Sequence, residues 1–407
     1  MEEKNSNRYW VLFILLLGWV IASMDRAVMS IAVIPITSDF NLTASSTGII
    51  LSSFFLGYAL SQIPGGYLAD RFGSRRVLLV AVITWSVFTG LTGLAWSLAS
   101  LLVCRFLFGI FEGSFPAASS LSIAENFPLK QRARAKTIML LGSGIGMIGA
   151  PIIGAAMLEA IGWRMMFGIL ALCGISMFIL FWFVIKDKTK DPGSNQTTKK
   201  VPLKTVIKNP LVWSLFITYV GIYVVNWGLM SWMPTYLVKA RGLSLMEMGA
   251  ATAVVGLVLL VSAPLVGVLL DKITGKERYL ASGGAIGAAV FLYFMVKAPS
   301  PTMVVVFQAL ALVSCSFVSL TTATQPMKRF PLEVVGTVSG LVNTGGQIGS
   351  FISPLVMGLI IDASGGSYAP AFAFLGVCVL VAAVAGATIP VIKTPDDPKV
   401  DAPGASS

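Results

Sequence analysis

Apolar stretches of near 20 residues recur from one end of this chain to the other, and that recurrence leaves few folds open. A helix needs about 20 apolar residues to cross the ~30 Å hydrocarbon core of a bilayer, whereas barrel strands alternate in polarity and span it in about 10. The stretches fall at roughly 10–36, 46–69, 77–95, 98–121, 136–158, 165–185, 211–237, 247–270, 279–297, 302–325, 335–361 and 369–392. They predict an all-α polytopic membrane protein with twelve transmembrane helices. Charged residues make up only 12% of the chain, against about 25% in soluble domains, so a soluble enzyme is excluded. The first stretch is expected to stay in place as a span, because it carries Asp25 and Arg26 and runs on without a small-residue cleavage site.

Positive charge orients the spans. Putting both termini in the cytoplasm places most of the 29 lysines and arginines in loops on the inner side. Only Arg164, Lys239, Arg241 and Lys297 then lie outside, a bias that predicts this topology. The same distribution accounts for the net charge of +11 without nucleic acid as a partner. Four cysteines, Cys104, Cys173, Cys315 and Cys378, fall within predicted spans and are expected to be buried free thiols.

The hydrophilic stretch from Lys186 to Pro210 divides the chain into six spans and six. Expected units are a bundle at 1–185, a flexible cytoplasmic linker at 186–210, a second bundle at 211–392 and a disordered cytoplasmic tail at 393–407. The halves echo each other. Gly66, Asp70, Arg71 and Gly73 recur in degraded form as Gly267, Asp271, Lys272 and Gly275. Phe127-Pro128-Leu129 matches Phe330-Pro331-Leu332 at an offset that also carries Gly142 onto Gly345, Gly146 onto Gly349 and Pro151 onto Pro354. Two such halves fit an alternating-access transporter with its site near the midplane between them.

The loop Gly66-Tyr67-Leu68-Ala69-Asp70-Arg71-Phe72-Gly73-Ser74-Arg75-Arg76 resembles the signature loop of the major facilitator superfamily. Ala22-Ser23-Met24-Asp25-Arg26 and Arg105-Phe106-Leu107-Phe108-Gly109-Ile110-Phe111-Glu112-Gly113 resemble, more narrowly, its anion:cation symporter family. That family includes bacterial hexuronate, aldonate and glucarate permeases and the sialin and vesicular glutamate transporters of animals. The resemblance implies a monomer with protons as coupling ion and no other cofactor, and the short outer loops predict the cell inner membrane.

Asp25, Arg26, Arg105 and Glu112 are the chemistry of the chain. A charge at mid-membrane costs at least ~2.5–3.5 kcal/mol on insertion scales, so charges there are expected to work. There is no histidine, so a titrating group in the membrane must be a carboxylate. Asp25 and Arg26 are adjacent and point about 100° apart on a helix; Arg105 and Glu112 are two turns apart on one face. Arg26 and Arg105 are expected to face a central cavity and grip a substrate carboxylate, since guanidinium binds it bidentately. Asp25 and Glu112 are expected to carry protons. The resemblance implies the same division of roles. The competing expectation is structural pairing of Asp25 with Arg105, or of Glu112 with Arg26.

Tyr58, Tyr223, Asn226, Asn343 and Gln347 are the other candidate substrate contacts. Tyr58 and Asn343 match substrate-contacting residues of the resembled family. Buried amides demand partners, and Asn343 with Gln347 one turn on suits sugar hydroxyls. Trp227, Ser319, Thr321 and Thr322 are weaker candidates, and the tryptophan common near the tenth span in sugar-acid members is absent. Asp70, Arg71, Arg75, Arg76 and Asp271 are assigned to a cytoplasmic gate. No catalytic constellation, Walker loop or metal-ligand cluster occurs. Together these features predict a proton-coupled symporter importing a small organic anion, above all a sugar acid such as a hexuronate or aldonate. The alternative is a proton-coupled antiporter exporting a drug or metabolite, suggested by the glycines Gly142, Gly144, Gly146, Gly149 and Gly154 of the fifth span.

Overall fold

The computed structural model describes residues 2–186, 206, 208–272, 277–330 and 332–390, without the side chains of 2–7, 271–272 and 332–333. Most of the predicted linker, the tail from 393 and the side chain of Asp271 therefore lie outside the described residues. The described chain is helical: α1 Glu2–Asp39, α2 Ala44–Phe72, α3 Ser74–Gly93, α4 Leu98–Glu112, α5 Phe115–Asn126, α6 Leu129–Val184, α7 Pro210–Lys239, α8 Leu245–Lys272, α9 Glu277–Lys297, α10 Pro301–Arg329, α11 Leu332–Ala363 and α12 Ala369–Ala387.

Eleven helical stretches among the described residues are long and apolar enough to cross a membrane, with α4 and α5 forming one of them. The 56 residues of α6 would reach about 84 Å if straight, far beyond one bilayer. The chain instead turns at Gly162, whose φ of 72° and ψ of 169° only glycine adopts readily. So α6 supplies two passes, and the twelve crossings expected from hydropathy are present. Large apolar side chains such as Ile63, Leu172, Val261 and Val384 lie exposed along the helix flanks, a surface suited to hydrocarbon.

The repeated glycines have a common task. A Cβ on Gly142 or Gly146 would collide with the backbone of α1, at Leu16 O and Val20 O. A Cβ on Gly345 or Gly349 would meet the backbone of α7, at Phe216 O and Val220 O. Both pairs let two helix backbones touch, as small residues do in membranes. Of the glycines in the fifth span, Gly142, Gly146 and Gly154 pack on α1, whereas Gly144 meets Leu260 of α8.

Contacts between the halves are concentrated at one end. A Cβ on Gly48 would strike Pro354 O at 2.5 Å, one on Gly358 would strike Ala44 O at 2.5 Å, and one on Gly249 would strike Pro151 O at 2.6 Å. Pro151 and Pro354 are repeat equivalents, so α6 against α8 mirrors α11 against α2. Asp362 of α11 fastens the same end by accepting from the backbone amides of Ala44 at 2.9 Å and Ser45 at 2.7 Å, at the N-terminus of α2. At the opposite end Gly267, Gly336 and Gly340 meet nothing within 4 Å. Among the described residues, these close backbone contacts between the halves lie on the face away from the basic loops. Asp362→Ala is expected to loosen the joined face, raising several-fold the rate at which a cysteine placed at Ser52 is modified by a membrane-impermeant thiol reagent in a cysteine-free background.

Candidate functional site

The sealing of α2 onto α4 builds the site. Gly57 and Gly109 face each other so closely that a Cβ on either would lie 2.2 Å from the other helix's carbonyl, at Phe106 O or Phe54 O. Gly113 ends α4, and a Cβ there would strike the Ser61 hydroxyl and Tyr58 O. Glu112 therefore sits at the last position of α4, facing α2, where the carbonyl end of the helix disfavours a negative charge. Its counter-charge comes from α1. Arg26 donates to Glu112 Oε1 at 2.5 Å, and Glu112 is 1% exposed.

Arg26 lies at the meeting of both halves. Its guanidinium sits 5.2 Å from the Phe54 ring, 5.1 Å from Tyr58 and 5.7 Å from Trp227 of α7, a cation held among aromatic faces. Trp227 also packs edge-on against Phe55 at 4.6 Å. The Arg26 side chain keeps 13% exposure.

The other two charges lie deeper in the first half. Asp25 accepts from the Thr89 hydroxyl at 3.1 Å, and Arg105 donates to the Thr92 hydroxyl at 3.0 Å. Both side chains are 1% exposed, and Arg105 rests over Phe108 at 4.6 Å. Adjacent Asp25 and Arg26 diverge as helix geometry requires, one toward α3 and one toward α2 and α4. The expected pairing of Glu112 with Arg26 is present; Asp25 and Arg105 are instead each held by a threonine of α3. The Asp25 Oδ1, Glu112 Oε2, Arg26 Nε and Arg105 Nε atoms are buried without a partner among the described residues. Unspent hydrogen-bonding capacity of this kind is costly and suits a site whose partner comes and goes.

Two spaces adjoin the cluster. A void of about 20 Å³, room for roughly one water, is lined by Arg26, Arg105, Phe54, Phe55, Trp227 and Met230. Beyond it lies a cavity of about 430 Å³ between the halves, lined among others by Tyr223, Asn226, Thr252, Gln308 and Ser316. Ser30, Trp227 and Met230 border both spaces and separate them. The expectation that both arginines face an open chamber is corrected here: neither lines the larger cavity, and both border the small void, from which Ser30, Trp227 and Met230 separate it. Sequence reasoning also ranked Trp227 low and missed Gln308, Thr89 and Thr92. Nothing in their spacing marks them, because each depends on a neighbouring helix.

Other predicted residues are placed as follows. Tyr223 and Asn226 line the larger cavity, and Tyr58 lies against Arg26. Gln347 is half-buried, and Asn343 is exposed rather than buried as expected, in the half of α11 nearer Leu332. Arg75 donates to Ile185 O at 2.5 Å and Trp182 O at 3.1 Å, tying α3 to the end of α6 within the first half. Arg71 lies 5.3 Å from the Phe72 ring, and Arg76 borders a lipid-side crevice with Leu68 and Phe72. Asp70 lies in the last turn of α2 beside them. Of the cysteines, Cys104 and Cys315 are buried as expected. Cys173 is exposed on a helix flank, because its side chain turns away from the bundle.

Twelve crossings, paired halves and a charged cluster beside an interior cavity define a secondary transporter. The profile of the Major Facilitator Superfamily matches residues 15–354, and the chain belongs to that superfamily, whose members are transporters rather than enzymes. Among its relatives, the protein named "Probable sulfoacetate transporter SauU" of Cupriavidus necator is 31% identical, over 98% of this chain and 97% of that protein. The "Hexuronate transporter" of Bacillus subtilis is 29% identical over 92% of each. A bacterial homologue of the lysosomal transporter Spinster, solved inward-facing and unoccupied, shares the fold with a TM-score of 0.78 at 23% identity, covering 94% of this chain and 95% of that one. The chain is a polytopic membrane transporter with anion transporters among its relatives.

Proposed function

We propose that this transporter imports a small organic anion, above all a sugar acid such as a hexuronate or aldonate, together with protons across the cell inner membrane. The observation that carries the proposal is the Arg26–Glu112 pair, at 2.5 Å and nearly dry, with Arg26 lining the small void beside the interior cavity. Arg26 can satisfy Glu112 or a substrate carboxylate. Protonation of Glu112 removes its charge and frees the guanidinium for the anion; loss of the substrate returns Arg26 to Glu112 and favours release of the proton. Linkage makes the effect reciprocal, so proton binding strengthens anion binding and the reverse. Asp25, held by Thr89 beside Arg105, is the second proton carrier, and Arg105 backs Arg26 when the aromatic wall moves.

With the basic loops cytoplasmic, the face opposite the close contacts opens inward and the Asp362 contact closes the outside. Tyr58, Tyr223, Asn226, Asn343 and Gln347 contact substrate along its way, and Asp70, Arg71, Arg75, Arg76 and Asp271 belong to the inner gate. The transporter works as a monomer. The test is uptake into proteoliposomes with an acid exterior, using hexuronates, aldonates, aldarates, sulfoacetate and aromatic acids. Saturable accumulation of a hexuronate or aldonate that collapses with the pH gradient is expected. Accumulation of none, or uptake unaffected by the gradient, overturns the proposal.

A further inference from the structure

The larger cavity has a charge distribution of its own. None of the residues lining its 430 Å³ carries a charge, although it lies directly behind Trp227 from Arg26. Its size is that of a small-ligand pocket. Three hydroxyls in the wall are already used, Ser30 toward Ala27 O at 2.7 Å, Thr252 toward Met248 O at 2.9 Å and Ser316 toward Leu312 O at 3.0 Å. Asn226 and Gln308 make no side-chain hydrogen bond among the described residues, and Gln308 is only 3% exposed. Neither amide is among the buried side-chain atoms left without a partner, so both open onto the cavity, where a ligand group can meet them. Asn226 and Gln308 both offer a donor and an acceptor, and with the Tyr223 phenol they match hydroxyl groups and not a formal charge.

Resting on the proposed symport, we infer that the site takes monoanions carrying one acidic end and a neutral hydroxylated tail, and discriminates against dianions with a second acid group. The acidic end reaches Arg26 when Ser30, Trp227 and Met230, which separate the small void from the cavity, give way. The tail enters the cavity, with Asn226 and Gln308 on its hydroxyls and the rings of Tyr223 and Trp227 against the apolar face of a sugar. A second carboxylate there would be stripped of water beside neutral groups, with no cation among the lining residues to meet it. The discrimination lies in the binding wall of α7 and α10, apart from the proton-carrying pair.

Competition in proteoliposomes tests this with the full chain and an imposed pH gradient. Galactarate and sulfoacetate are expected to inhibit labelled galacturonate or gluconate uptake at least about tenfold more weakly than the unlabelled monoanion does. Gln308→Arg, which places a cation in the wall, is expected to narrow that gap. Gln308→Glu is expected to weaken monoanion uptake without improving galactarate. Because the comparison on the unaltered protein needs no variant to fold, it decides alone. Galactarate or sulfoacetate competing as well as the monoanion would overturn the inference and leave proton-driven anion import standing. Uptake of none of these anions would overturn both.

Discussion

Glu112→Gln is expected to abolish accumulation of substrate against its gradient while leaving exchange of labelled for unlabelled substrate measurable. Glutamine retains the oxygen that Arg26 now donates to at 2.5 Å, so the local shape survives, but it can neither take nor release a proton. One pH unit is worth 1.36 kcal/mol per coupled proton, enough for about tenfold accumulation of the co-transported solute. The sign follows from the coupling. In the unaltered protein an acid exterior drives uptake and collapse of the gradient stops it; in the variant the inside-to-outside ratio settles near one at either pH. Side-by-side gradient-driven uptake and counterflow in proteoliposomes provide the measurement. If full accumulation survives in Glu112→Gln, Glu112 is not a coupling residue. Arg26→Gln provides the contrast: it leaves Glu112 buried without its counter-charge, so both uptake and exchange are expected to fall, with stability lower by roughly 3–5 kcal/mol.

Gly109→Ala is expected to be as damaging without touching any charge. The added methyl would lie 2.2 Å from Phe54 O and 2.9 Å from Tyr58 N, both backbone atoms that cannot swing aside. Relief requires α2 and α4 to separate by about an ångström, and overpacking of this kind typically costs 1–3 kcal/mol. The displacement moves Tyr58 away from Arg26 and Glu112 at once. Exchange as well as accumulation should drop at least about tenfold, with a lower melting temperature in detergent. Gly168→Ala, where a Cβ meets nothing within 4 Å, is the control and should behave as the unaltered protein. Equal activity of the two alanine variants would show that close approach of α2 and α4 is not what positions the site.

The glycines also show what a sequence conceals. Their spacing at Gly142 and Gly146, repeated at Gly345 and Gly349, is visible as a pattern and suggests close helix crossings. Which helix each crosses is not, because lipid-facing and partner-facing sides of a span are both apolar and differ little in composition. The same ambiguity hid Gln308 and Trp227. One is an amide in an apolar run and the other an aromatic among aromatics, and only their cavity distinguishes them.

From the residues alone follow the twelve crossings, the internal repeat and the four buried charges. Hydrocarbon imposes a fixed length on each span and a penalty on each charge, so both are written locally along the chain. Whether Glu112 would meet Arg26, and whether Asp25 would reach Arg105 or a threonine, depended on α2, α3 and α4 converging on α1. Those contacts join residues up to 86 positions apart. They were decided by how backbones seat at Gly57, Gly109 and Gly113, since an ångström of helix separation determines which partners a side chain can reach.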